Sequence, residues 1–144
     1  HDHVDVAATY NNMGIVHKAL GDYIKALECY QKSLEIKLKV LGHDHVDVAK
    51  TYNNMGNVLQ KQGDYKKALE YYNMALKIRV DKLGHDHVDV ANTQYNMAGV
   101  HREMGKMEEA RLQFLRCAEI YAAVYGPQHS ETLDAQEQAA RCSN

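Results

Sequence analysis

The chain of 144 residues is long enough for one domain with a sizeable core. Its 17 basic and 19 acidic residues leave a net charge of −2, which argues against a general binder of nucleic acid or of membrane surfaces. Its three cysteines are odd in number and stand at unrelated spacings, so we predict no disulfide framework and a reducing, cytoplasmic compartment.

An internal repeat organises the whole chain. The heptapeptide HDHVDVA begins at His1, His43 and His85, so its copies recur at one fixed interval. The first two 42-residue segments are identical at 26 positions, and the third follows the same frame more loosely. Self-similarity at a fixed period is typical of repeat architectures. We therefore predict a single domain over residues 1–144, with repeats at 1–42, 43–84 and 85–126 and a partial fourth repeat, first helix only, at 127–144.

Each repeat predicts two helices separated by a glycine turn. In the first repeat, one stripe of side chains on the first helix recurs at helical spacing: Ala7, Tyr10, Met13, Gly14 and His17. Gly21 interrupts this pattern, and Asp22 is a suitable N-cap for the second helix. From Tyr23 the apolar and aromatic residues keep helical spacing until Gly42 ends the helix. Only stacked pairs can bury such stripes, so we predict an all-α fold, a right-handed α-solenoid of stacked antiparallel helix pairs.

These residues resemble the tetratricopeptide repeat, a helix pair of about 34 residues with an Ala-x-x-x-aromatic motif in its second helix. The motif occurs in all three repeats, as Ala26 with Tyr30, Ala68 with Tyr72, and Ala110 with Phe114. The longer 42-residue form, with its segments TYNNMGNV, GDYKKALEYY and LGHDHVDVA, is similar to the repeats of kinesin light chains. Two features depart from that family, because the heptad region that binds the motor subunit is absent and valine replaces the usual loop proline. These valines are Val4, Val46 and Val88.

The resemblance places HDHVDVA in the turn between repeats. Asp44 can cap the next helix, with Asp47 three residues later, and acidic residues suit a helix N-terminus. Two histidines one residue apart supply at most half a zinc site, and successive turns of stacked pairs are expected to lie about 10 Å apart or more. We therefore predict a loop-and-cap role with no metal and no cofactor. A metal-responsive module that uses the HxH turns is the less favoured alternative.

In helix pairs of the resembled family, the face of the first helix away from the packing stripe lines a concave groove. One row on this face has the 42-residue period, namely Asn12, Asn54 and Asn96. An amide both donates and accepts hydrogen bonds, which suits the backbone of an extended peptide, and asparagines at these places hold peptide ligands in that family. The predicted groove residues are Asn11, Asn12, Lys18, Lys50, Asn53, Asn54, Asn57, Lys61, Asn92, Tyr95, Asn96 and Arg102, and the partial fourth repeat adds Asp134, Glu137, Gln138 and Arg141.

The predicted function is that of a protein-interaction scaffold whose groove binds an extended peptide or partner segment, partly acidic because lysines line the groove. An alternative interpretation is that the asparagines bond neighbouring helices and recur because the repeat was duplicated. The domain would then be a structural spacer or a self-stacking assembly module that associates through uncapped ends. No nucleic-acid or membrane partner is predicted, since no apolar run approaches the roughly 18 residues of a membrane helix.

No enzymatic activity is predicted. The chain has no Ser-His-Asp order, glycine-rich phosphate loop or HExxH motif. Cys117 aligns with Ser33 and Ala75 in the repeat frame, so we expect a small core residue rather than a nucleophile. Three methionines at equivalent positions are also expected in the core, namely Met13, Met55 and Met97.

Overall fold

The computed structural model describes residues 2–143, which form seven α-helices joined by short turns. The helices are α1 (Asp2–Ala19), α2 (Tyr23–Leu41), α3 (Val46–Lys61), α4 (Tyr65–Leu83), α5 (Val88–Glu103), α6 (Met107–Tyr125) and α7 (Ser130–Arg141). Each predicted repeat therefore supplies two helices, and the segment after Gly126 supplies one. No helix in the described part of the chain is both long and apolar enough to span a membrane.

Glycines follow the first six helices at a regular spacing, from Gly21 to Gly126. Gly42 illustrates the reason, because its φ of 86° lies in the left-handed region that side chains with a Cβ atom avoid. Its N–H donates to the carbonyl oxygen of Leu38 at 3.1 Å and so closes the last turn of α2. The prediction that Gly42 ends the second helix is confirmed.

Aspartates cap the two helices that follow the short turns of the first two repeats. The Oδ1 atom of Asp22 accepts the backbone N–H of Lys25 at 3.2 Å, and Asp64 Oδ1 accepts that of Lys67 at 3.3 Å. These bonds satisfy amides that have no partner within the helix. The predicted N-cap at Asp22 is therefore confirmed.

Histidines, not aspartates, cap the helices that follow the longer turns. The Nδ1 atom of His45 accepts the backbone N–H of Asp47 at 3.0 Å, and His87 and His129 do the same for the residue two positions later, at 2.9 and 3.2 Å. The prediction that Asp44 caps the next helix is wrong, because the imidazole one residue further on takes that place. The second histidine of the HxH pair thus has a structural role, as an Nδ1 acceptor.

The described residues divide into two compact units, one reaching to Ile78 and one starting at Arg79, so that the division falls within α4. In the N-terminal unit, α1 packs against α2 and α2 against α3. In the C-terminal unit, α5 packs against α6 and α6 against α7. Within each unit, consecutive helices stack as the sequence predicts.

A close approach between helices defines the core of the N-terminal unit. A Cβ atom added to Gly56 of α3 would lie 2.7 Å from the ring of Tyr72 on α4, and one added to Gly14 would lie 2.6 Å from Tyr30. Glycine is required here because both rings are buried and leave no room for a methyl group. Met55 is 3% exposed in this core, but the equivalent Met13 is 42% exposed, so its predicted burial is wrong.

The core of the C-terminal unit contains Cys117, which is fully buried between α5 and α7. Its Sγ atom donates to the carbonyl oxygen of Ala91 at 3.2 Å, as Ser33 Oγ donates to Ala7 at 2.8 Å one unit earlier. Burial raises the pKa of the Cys117 thiol to about 12, so the thiolate is not formed near neutral pH. The prediction that Cys117 is a small core residue is confirmed.

Candidate functional site

The predicted groove residues lie on α1, α3 and α5, the first helices of the three repeats. In the N-terminal unit, Asn12, Lys50 and Lys61 are exposed, whereas Lys18, Asn53, Asn54 and Asn57 are half-buried. In the C-terminal unit, Asn92 is exposed, whereas Tyr95, Asn96 and Arg102 are half-buried. A partly accessible polar surface therefore runs along the first helices within each unit.

Several of these asparagines are hydrogen-bonded to other residues of the chain. Asn11 is only 4% exposed, and its Oδ1 atom accepts a hydrogen bond from Asn54 Nδ2 at 3.3 Å. Asn57 Oδ1 accepts the Tyr72 hydroxyl proton at 2.5 Å. Asn11 therefore positions Asn54 and is not exposed to solvent. For Asn11, the alternative interpretation that the asparagines bond neighbouring helices describes the structure.

A pocket of about 170 Å³ lies between α1, α2 and α3, and we call it the N-terminal pocket. Its lining includes Ala8, Asn11, Asn12, Lys37, Asp47 and Lys50. Lys37 Nζ donates to the Asp47 carbonyl oxygen at 3.4 Å and to Thr51 Oγ1 at 3.0 Å. Burial lowers the pKa of Lys37, the Asp47 charge opposes this effect, and the charge of Lys50 adds to it. Two lysines therefore give this pocket a positive balance.

A second positive position lies at the other end of the same helices. Burial lowers the pKa of Lys18, and the charge of Lys61 lowers it further. The ammonium groups of α1 and α3 are therefore close enough to repel each other. An anionic group placed between them would relieve that repulsion.

A larger pocket of about 570 Å³ lies between α5, α6 and α7, and we call it the C-terminal pocket. Its lining comprises Asn92, Tyr95, Asn96, Tyr121, Ser130, Glu131 and Asp134. The Tyr95 hydroxyl donates to Asp134 Oδ2, and the Tyr121 hydroxyl donates to Asn92 Oδ1 at 2.6 Å. Burial raises the pKa of both phenols above the usual range, with the Asp134 hydrogen bond adding to the effect at Tyr95. Both hydroxyls therefore remain protonated donors at neutral pH.

Arg102, a predicted groove cation, is held by its neighbours. Its Nη1 atom donates to Gln138 Oε1 on α7, and its guanidinium lies 5.4 Å from the centroid of the Phe114 ring. This arrangement links α5 to α6 and α7 and fixes the direction of the guanidinium. Arg102 does not line the C-terminal pocket.

Two polar residues that line these pockets lie on second helices and were not predicted from the sequence. Lys37 of α2 and Tyr121 of α6 occupy the same position in the repeat frame, as does Arg79 of α4. The signal available in the sequence was a change from lysine to arginine to tyrosine directly after an isoleucine that all three repeats share, namely Ile36, Ile78 and Ile120. Among the described residues, no group of three or more His, Cys, Asp or Glu side chains could hold a metal ion.

A family model described as the tetratricopeptide repeat matches residues 5–80 and 89–143. No curated protein matches the chain significantly in sequence. The matched segments include most of every helix and all of the pocket residues named above.

Solved structures show the same fold. A provisionally assigned kinesin light chain of Podosopora anserina with nearly identical TPR-like repeats superposes with a TM-score of 0.86 at 19% identity, over 99% of this chain and 67% of that one. BtubC (BKLC) of P. vanneervenii gives 0.71 at 17% identity, over 95% and 63% of the two chains. The present chain thus spans about two thirds of the length of these relatives.

A third solved structure carries a ligand. The first TPR of Spaghetti (RPAP3), bound to the HSP90 peptide SRMEEVD, gives a TM-score of 0.69 at 14% identity, over 96% of this chain and 94% of that one. At such identities, likeness shows the fold alone. The predicted all-α solenoid of stacked helix pairs is confirmed.

Proposed function

The chain belongs to the tetratricopeptide repeat family, and we propose that it is a non-enzymatic scaffold that binds an extended peptide or partner segment on the polar faces of its first helices. Repeats of this family are generally protein-interaction scaffolds. The structural neighbour bound to an HSP90 peptide supports peptide binding as the use of such a face. No kinesin-related role is proposed, and a cytoplasmic location stays a prediction from the three free cysteines.

The single observation that carries this proposal is the C-terminal pocket. Its volume of about 570 Å³ is bounded by amide, hydroxyl and carboxylate groups and by two aromatic rings. Amides can pair with the N–H and C=O groups of an extended backbone, and aromatic rings supply anchoring area. Such a mixture suits recognition of a peptide better than burial of an apolar cofactor.

The basic positions of the N-terminal unit favour an acidic residue in the bound segment. Lys50 is exposed beside the N-terminal pocket, and Lys18 and Lys61 lie close together. Surface charges of this kind contribute modestly, so most affinity must come from backbone hydrogen bonds and anchors. One short peptide is then expected to bind at micromolar strength, about −8 kcal/mol.

A selection from a library of random linear peptides tests the proposal. The parent chain is expected to enrich a shared motif, whereas a variant with Asn12→Ala, Asn54→Ala and Asn96→Ala loses it because the amide row is gone. A matched control removes three exposed amides elsewhere, through Gln31→Ala, Asn73→Ala and Gln136→Ala, and keeps the motif. All three proteins must first melt at similar temperatures. Enrichment of no motif by the parent, or of one motif by all three, would refute the proposal.

A second function, self-assembly, is favoured by one specific observation on α1. Val6 and Val16 are 44% and 56% exposed, although the equivalent Val48 and Val58 of α3 are fully buried beneath α2 and α4. In the described chain no helix packs on the face of α1 that carries these two valines. The C-terminal unit also exposes apolar side chains of α6 and α7, namely Leu112, Leu115 and Leu133. We infer that a second copy covers the α1 face in head-to-tail association.

Sedimentation velocity over a range of concentrations tests this second function. The weight-average mass of the parent is expected to rise with concentration, and Val16→Glu is expected to weaken association about tenfold by placing a charge in the apolar contact. Met74→Glu on α4, where the methionine is 44% exposed, is the matched control and keeps the parental behaviour. A constant monomer mass for the parent would exclude self-assembly and leave peptide binding untouched.

A further inference from the structure

The N-terminal and C-terminal pockets are the same place in the repeat, two periods apart. Both are bounded by a first helix, the second helix that follows it, and the next first helix. Six residues that line the N-terminal pocket stand two 42-residue periods before six residues that line the C-terminal pocket. The pairs are Ala8 with Asn92, Asn11 with Tyr95, Asn12 with Asn96, Lys37 with Tyr121, Asp47 with Glu131, and Lys50 with Asp134.

The charge of the pocket reverses between these two copies. The N-terminal pocket holds two lysines and one aspartate, Lys37, Lys50 and Asp47. In the C-terminal pocket both lysines are replaced, one by Tyr121 and the other by Asp134, while a carboxylate remains at Glu131 in place of Asp47. A pocket with a positive balance thus becomes one with two carboxylates and no basic residue in its lining.

We propose that the C-terminal pocket binds the cationic side chain of an arginine or lysine in the bound segment. This inference rests on the proposed peptide-binding function and deepens it, because it assigns a residue class to one position of the ligand. A guanidinium or ammonium group is attracted by carboxylates and by the faces of aromatic rings, and the pocket supplies two of each.

The two carboxylates are placed to act together. Asp134 is held by the Tyr95 hydroxyl at Oδ2 and lies 3.5 Å, through Oδ1, from Gln138 Nε2. Glu131 is exposed in the first turn of α7, and its charge contributes to the raised pKa of Tyr121, so it lies near that hydroxyl. The N-terminus of α7 adds only about half a positive charge, which two full carboxylates outweigh.

Arg102, the nearest basic residue that the structure places beside this pocket, does not line it. The charge of Arg102 reaches Tyr95, where it opposes the rise in that residue's pKa. Its guanidinium is nevertheless bonded to Gln138 and placed over Phe114, outside the lining of the pocket. The balance of charge along the lining therefore remains negative.

Amide NMR titration with N-acetyl-arginine methylamide tests the inference without any peptide motif. N-acetyl-citrulline methylamide has the same shape without the charge and serves as the matched ligand. The parent is expected to show saturable shifts at the amides of Tyr95, Tyr121 and Ser130 with the arginine probe, and binding about fivefold weaker with the citrulline probe.

Two double variants complete the test. Glu131→Gln with Asp134→Asn preserves size and the acceptor for Tyr95 but removes both charges, and is expected to bind arginine about fivefold more weakly. Glu108→Gln with Glu119→Gln removes two charges outside the pocket, where Glu108 pairs with Arg111 and Glu119 with Arg116, and keeps parental binding. All proteins are first matched for melting temperature.

The inference is overturned if the parent shows no saturable arginine shifts, if arginine and citrulline bind equally, or if the Glu131→Gln/Asp134→Asn protein binds arginine as the parent does. Such a result leaves the scaffold function standing whenever the library selection yields a motif that depends on the asparagine row. Conversely, a charge-dependent arginine site with no selected peptide would support the pocket while the scaffold proposal fails. The two failures are therefore distinguishable.

Discussion

Replacing Gly56 with alanine is expected to lower the free energy of unfolding by about 2 kcal/mol. The added Cβ atom would lie 2.7, 2.8 and 3.0 Å from three atoms of the Tyr72 ring. Overpacking of this severity costs about 3 kcal/mol, and the better helix propensity of alanine offsets about 1 kcal/mol. The ring cannot easily move away, because its hydroxyl donates to Asn57 Oδ1 at 2.5 Å and lies 3.1 Å from Gln60 Oε1.

Urea denaturation followed by circular dichroism measures this loss, and the third repeat suggests the control. There the equivalent pair is Ala98 with Phe114, so an alanine methyl group and an aromatic ring coexist when the hydroxyl is absent. The double variant Gly56→Ala/Tyr72→Phe copies that pair and is expected to be more stable than Gly56→Ala alone, because the released ring can shift. A strictly additive cycle, or an unchanged stability of Gly56→Ala, would show that the close contact is not limiting.

Most of the fold was predictable from local signals in the sequence. The period of the repeat can be read directly from the sequence. The glycines after the first six helices and the aspartate caps act within one helical turn, so the neighbouring residues determine them. The cap at His45 was missed because aspartate is the usual N-cap and imidazole is not. Only the structure shows that the ring nitrogen reaches the N–H of Asp47.

Burial within the repeat was less predictable, because it depends on which neighbour covers each helix. Met13 and Met55 lie in the same segment, TYNNMG, of their repeats. Met13 is nevertheless exposed, whereas Met55 is in the core. α3 is covered by α2 and α4, whereas the equivalent face of α1 has no such cover in the described chain. Periodicity tells which face is apolar but cannot tell whether that face is occupied.

The surroundings of the predicted groove residues could be anticipated only in part. The asparagine row does lie on the first helices, yet Asn11 is buried against Asn54 although the adjacent Asn12 is exposed. Lys37 and Tyr121 were missed because they belong to second helices, whose far ends approach the next repeat. A side chain that contacts the next repeat cannot be assigned to a site from the helical stripe of one helix alone.

Arg79 of α4 contacts the next repeat in this way, and its replacement is expected to lower the free energy of unfolding substantially. Its Nη1 atom donates to Thr93 Oγ1 at 2.7 Å and to the Asp89 carbonyl oxygen at 3.2 Å, and so joins α4 to the first turns of α5. Burial lowers the pKa of this guanidinium, while the Asp89 charge opposes the shift. Arg79→Met keeps the length of the stem and removes these bonds, so the free energy of unfolding is expected to fall by about 2 kcal/mol.

The first repeat shows why Arg79→Lys should retain most of this stability. Lys37 occupies the equivalent position and makes the equivalent pair of bonds, to Thr51 Oγ1 at 3.0 Å and to the Asp47 carbonyl oxygen at 3.4 Å. We expect Arg79→Lys to cost less than about 1 kcal/mol, since one ammonium group can reach both acceptors but with longer bonds. Lys77→Met, which removes an exposed charge from the same helix, is the control and should change stability by less than about 0.5 kcal/mol. If Arg79→Met and Lys77→Met lose the same stability in urea denaturation, the guanidinium contributes nothing specific. A clear difference between them, with Arg79→Lys in between, would establish that a basic side chain at this position holds the end of α4 against α5.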